Sequence, residues 1–127
     1  MRQKYLDEFI GKALAIADYF RRDPSGFRYR WTVGSWLIRE FLRVKTGHEL
    51  KQLIHAIENG DIVWHALPFT VHSELMTKEL FEYALTFSQE LDERFGKTTV
   101  AGKFTDVPGH TRGIIAPLAK AGVKLLH

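Results

Sequence analysis

The chain has 127 residues, 13% aromatic and 26% charged, an ordinary balance for one domain with its own core. Its 18 basic and 15 acidic residues leave a net charge of +3 and are interspersed, a solvated surface that argues against a nucleic-acid partner. The absence of cysteine excludes disulfides, zinc–thiolate sites and a cysteine nucleophile. No apolar stretch reaches the roughly 18 residues of a membrane span, and the opening eight residues are too polar for a signal peptide.

Apolar residues at helical spacing (Tyr5, Phe9, Ile10, Ala13, Ile16, Ala17, Phe20) predict an amphipathic helix over 3–22, stopped by Asp23-Pro24-Ser25-Gly26. Residues 27–33 alternate and are rich in β-formers, so a strand is expected there. A helix follows over 36–44 with Ser35 as N-cap, then a second from 46 to 58 opened by a Thr46–Glu49 capping box and ended by Asn59-Gly60. A short strand is expected over 61–65 and a loop over 67–70. A long helix is expected over 73–95, with apolar Leu75, Leu80, Tyr83, Ala84, Phe87 and Leu91, closed by Gly96. The third strand, 98–105, leads into an Asp106 loop. The last helix spans 111–121, and a fourth strand begins at 123.

Strict alternation of strand and helix predicts an α/β fold of parallel β/α units. The sequence opens on a helix that no strand precedes and stops inside a strand, and a whole (β/α) barrel needs about 250 residues. The expectation is a single partial catalytic domain over 1–127, cut on both sides. A small four-stranded open α/β domain is the alternative.

In such a sheet three loops gather at the carboxyl ends of the strands: Gly34-Ser35-Trp36, His65 to Glu74, and Asp106 to Thr111. Asp106 is either a metal ligand or carboxylate nucleophile, or an N-cap or Asx-turn before Pro108. His110 is a substrate-binding candidate or a histidine bonded to backbone. His65, at a strand end, and His72 are further substrate-binding candidates, and Glu74 is as well explained by a helix start. Trp36 and Phe69 are candidates for a sugar platform, whereas Trp31 and Trp64 belong to the core. Arg112 clamps substrate or pairs with an acid. His48 and His55 are surface residues.

Asp106-Val-Pro-Gly109-His110-Thr111 resembles the Asp-Pro-Phe-Gly-His-Ser motif of glycoside hydrolase family 38, the α-mannosidase family, with Asp, Gly and His at the same spacing. The proline stands one position later, at Pro108. The order of the flanking segments is also similar, from Arg28-Tyr-Arg-Trp-Thr-Val-Gly-Ser-Trp36 through Asn59-Gly-Asp-Ile-Val-Trp-His-Ala66 to Ala119-Lys-Ala-Gly-Val-Lys-Leu-Leu126. The resemblance implies a partial (β/α)7 barrel of the family 38 and polysaccharide deacetylase type. It also implies a carbohydrate substrate, and zinc bound by Asp106, which acts as the nucleophile of a retaining glycosidase. The other zinc ligands and the general acid would lie outside these 127 residues, with the rest of the barrel, so the isolated chain would be inactive and bind zinc poorly. A deacetylase-like metal hydrolase and a non-catalytic carbohydrate-binding or structural domain are the competing readings. The compartment is left open.

Overall fold

The computed structural model describes residues 4–127, so the first residue of the expected helix, Gln3, lies outside the described residues. The fold is mixed α/β: the described residues form five α-helices and four short strands, the strands in two two-stranded ladders. The chain divides into two compact units, Met1–Val33 with Glu40–Val63, and Gly34–Arg39 with Trp64–His127.

In the first unit, helix α1 opens as a π-helical turn, Tyr5–Phe9, and continues as an α-helix, Ile10–Arg22. Its buried stripe is Leu6, Ile10, Ala13, Leu14 and Ala17, which keeps the helical period. Tyr5, Phe9 and Ile16, expected on that stripe, are exposed. Tyr5 and Phe9 stack on each other instead, with ring centroids 4.9 Å apart. The Asp23 carboxylate accepts from the Ser25 amide at 3.0 Å and turns the chain out of the helix.

The strand expected from Phe27 begins only at Trp31: β1 is Trp31–Gly34. Residues 27–30 find no ladder, and Phe27 is 71% exposed. The arginines of this segment reach sideways, Arg30 Nε to the Gly60 carbonyl at 3.0 Å and Arg28 to the Asp61 carboxylate at 3.4 Å.

Helix α2 is Ser35–Val44 and α3 is Gly47–Glu58. Thr46 stands at the N-cap of α3, but its side chain bonds nothing there, so the capping box does not close. Glu49 is drawn to Lys45 Nζ at 3.1 Å rather than back to Thr46. Asn59 ends α3, and Gly60 takes the left-handed conformation that follows. The core of this unit adds Phe41, Leu53, Ala56, Ile57 and Ile62 to the α1 stripe.

In the second unit, Ser35 is the first residue of α2 rather than its cap. Its hydroxyl is buried and bonds nothing. The amides of Ser35 and Trp36 instead donate to the carbonyls of Leu67 (3.0 Å) and Pro68 (3.2 Å), which satisfies two of the helix's orphan donors with loop backbone. Strand β2 is Ile62–His65. The helix expected from residue 73 is broken into a 3-10 turn, Ser73–Leu75, and α4, Lys78–Phe95. The break falls at Met76 and Thr77, both extended, because Thr77 caps α4 by accepting from the Leu80 amide at 3.2 Å. Gly96, at φ 61°, closes α4.

The buried face of α4 is Phe81, Ala84, Leu85, Ser88 and Leu91. Leu75, Leu80 and Tyr83 lie outside it and are exposed. Asp92 ties the return from α4 to the core: it accepts from Trp64 Nε1 at 2.9 Å and from the Thr99 amide and hydroxyl at 2.7 and 2.8 Å.

The third and fourth strands are shorter than expected. β3 is Ala101–Gly102 and β4 is Leu125–Leu126, paired in parallel. The last helix is a 3-10 turn, Arg112–Ile114, followed by α5, Ile115–Lys120. One backbone bond, Ala66 N–H to the Ala101 carbonyl at 2.9 Å, links the residue after β2 to β3. The core of this unit is Ala66, Leu67, Val71, Phe81, Leu85, Phe104, Ile114 and Leu118.

Candidate functional site

Every residue singled out in the sequence as a site candidate falls in the second unit. The Asp106 loop is built by alternating anchors. Phe104 is buried in the core and Val107 packs against it, while Thr105 and Asp106 between them are exposed. To turn Val107 inward straight after Asp106, the backbone takes φ 58° at Asp106, the one positive value at a non-glycine among the described residues. Aspartate tolerates this region better than most side chains.

Neither structural role open to Asp106 in the sequence is filled. The cap of the following turn is Thr111, whose hydroxyl accepts from the Gly113 amide at 3.3 Å. The Asp106 carboxylate has no hydrogen-bond or ion-pair partner among the described residues.

The loop is fastened to the segment after β2. Ser73 Oγ lies 3.2 Å from His110 Nδ1 and accepts from the Thr111 amide at 3.2 Å. Glu74 Oε1 lies 3.5 Å from where a Cβ at Gly109 would stand. The His110 ring lies over Phe104, centroid to centroid 3.7 Å and tilted 35°. Ser73 is the residue that sequence reasoning passed over: it marked only an expected helix start, and its position beside His72 and Glu74 was the available signal.

His65 ends β2, as its sequence position suggested, but its ring is only 9% exposed. Its Nδ1 accepts from the Leu67 amide at 3.3 Å. Burial, and then the nearby Lys103 charge, push its pKa down to about 4. The ring is therefore neutral near pH 7.

Trp36 and Phe69 meet edge to face, with centroids 6.3 Å apart and planes at 78°. Their approach depends on Gly34: a Cβ there would stand 2.2 Å from the Pro68 carbonyl oxygen. Phe69 and His72 line a cleft of about 450 Å³ with Leu75, Leu80, Tyr83 and Phe87. The cleft is apolar, and Leu75 on its rim is 85% exposed. Arg112 is exposed and pairs with no acid among the described residues.

The structure thus joins His110 to the segment that carries His72 and Phe69 to Trp36, and it sets Phe69 and His72 along one cleft. His65 is held within its own loop. Among the described residues no group of three or more histidine, aspartate or glutamate side chains is gathered to hold a metal ion. A catalytic zinc takes about three protein ligands, so Asp106 and its neighbours do not by themselves make a zinc site. No helix of the described residues is long and apolar enough to cross a membrane. No protein-family model matches the chain, and no curated protein matches it.

Proposed function

We propose that this chain is part of a carbohydrate-active hydrolase of the family 38 type, in which the Asp106 carboxylate attacks the anomeric carbon of a glycoside. The observation that carries the proposal is the condition of Asp106. It is exposed, unpartnered, and held in left-handed backbone on a loop fastened on both sides. Backbone strain of this kind persists where the surroundings over-determine it, and it concentrates at functional sites.

In the retaining reaction a carboxylate oxygen bonds to the anomeric carbon as the leaving-group oxygen departs with a proton from a general acid. Water then hydrolyses the glycosyl ester. The two carboxyl groups stand about 5 Å apart in such enzymes, and in this proposal the acid comes from outside these 127 residues. Trp36 and Phe69 offer a ring platform, and His72, His110 and Arg112 offer polar contacts to hydroxyls. His65, buried and neutral, supports the loop that carries Phe69 and His72. The likeness also gives Asp106 to zinc, but the donor set does not fit among these residues and no step of the proposal passes through a metal. The finer architecture of the proposal is a partial (β/α)7 barrel with the two ladders as consecutive strands. Support for it comes from the parallel sense of β3 and β4 and from the Ala66–Ala101 bond.

The test is Asp106→Asn in the complete barrel. Asparagine accepts the same backbone conformation, so the melting temperature should hold while hydrolysis of an aryl α-mannoside falls by about a thousandfold or more. Turnover retained in the variant would remove Asp106 from the nucleophile role. A wild-type protein that binds the sugar without cleaving it would favour the carbohydrate-binding reading.

A further inference from the structure

Ser73 and His110 form a part-buried pair, in which the function proposed above gives Ser73 no role. Ser73 is only 2% exposed, and its hydroxyl has two neighbours, the Thr111 amide and His110 Nδ1, each at 3.2 Å. The amide can only donate, so it occupies one lone pair of Oγ. The hydroxyl proton then needs an acceptor, and His110 Nδ1 is the acceptor within reach. If Nδ1 carried a proton instead, Oγ would receive two donors and its own proton would be buried without a partner, a costly arrangement.

We infer that Ser73 is a positioning residue that holds neutral His110 as its Nε2–H tautomer, so that the ring presents a donor to an acceptor oxygen of the ligand. Two contacts fix the ring, Phe104 beneath it and Ser73 at Nδ1, and the Thr111 amide fixes Ser73 in turn. Nε2 has no partner among the described residues. With its proton on Nε2 the ring is arranged as a donor, which suits a contact to ligand oxygen. Naming that oxygen as a sugar hydroxyl rests on the function proposed above; the tautomer does not.

The experiment is long-range proton–nitrogen NMR on the nitrogen-15-labelled chain at a pH of about 8, above the ordinary histidine range. No substrate is added, so the outcome is independent of whether the protein is a glycosidase. In the wild type, His110 Nδ1 should resonate far downfield of Nε2, as an unprotonated ring nitrogen does. Ser73→Thr keeps the hydroxyl and should keep that pattern. Ser73→Ala should draw the two nitrogen shifts together as the tautomers mix. An Nδ1–H pattern in the wild type would overturn the inference even if no variant folds. So would an unchanged pattern in a folded Ser73→Ala chain.

Discussion

Asp61 in the first unit and Asp106 in the second are both aspartates beside a strand, and they have opposite surroundings. Asp61 precedes β2, is 2% exposed, and stands 3.4 Å from both Arg21 and Arg28. Its backbone is equally engaged: the amide donates to Ala56 and the carbonyl accepts from Trp31. Asp106 follows β3, is exposed, and meets no donor. The first carboxylate is spent on holding a turn. The second is placed by a loop whose other residues do the holding. The proposed function puts chemistry on Asp106, the contacts put structure on Asp61, and each can be tested without the other.

The largest effect should come from the ring that ties β2 to α4. Trp64→Ala removes a buried ring and one of the two donors to Asp92 Oδ1, and should cost about 3–5 kcal/mol in denaturant unfolding. An unchanged midpoint would place the ring outside the core. Next, Asp61→Ala leaves Arg21 facing a vacated buried site and should cost about 3 kcal/mol. If the cost is negligible, the contrast between the two aspartates collapses, because the buried one would be no more structural than the exposed one.

The His65 effect is of similar size but depends on pH. Its folded pKa lies below that of an unfolded histidine, so between about pH 6.5 and 4 the unfolded chain takes up a proton that the folded chain refuses. Stability should therefore be full above about pH 6.5, fall through that window by about 3 kcal/mol, and level off below it. His65→Gln should flatten the slope, and a slope that survives the substitution would assign it to other groups. The smallest expected change is Thr77→Ala, about 1 kcal/mol for the lost cap of α4. A neutral result there would show that α4 is held by packing alone.

The sequence was legible where a local signal agrees with its tertiary surroundings. The helix over 47–58 and its Asn59-Gly60 stop, the end of α4 at Gly96, and the position of His65 at a strand end all follow from residue type and spacing. It misled where the partner is distant. Residues 27–30 have the alternation of a strand but no neighbouring strand to pair with. Ser35 has the chemistry of a cap, yet the carbonyls of Leu67 and Pro68 arrive first. Leu75, Leu80 and Tyr83 suit a core and line an exposed cleft instead. At the site, the Asp106 loop could be located from its motif, while its fastening could not. The contact between Ser73 and His110 spans 37 positions, and nothing in either neighbourhood announces the other.

Gly34 bears on how this site could change over generations. Every other amino acid would bring a carbon into the Pro68 carbonyl, so the position has no neighbouring sequence from which to drift. The rings at 36 and 69 can be exchanged one at a time, each exchange altering the platform proposed above. Substituting residue 34 would push the two backbones apart and dissolve the wall altogether. Under the proposed function, variation in ligand preference is therefore channelled to the rings, because residue 34 cannot change without moving backbone.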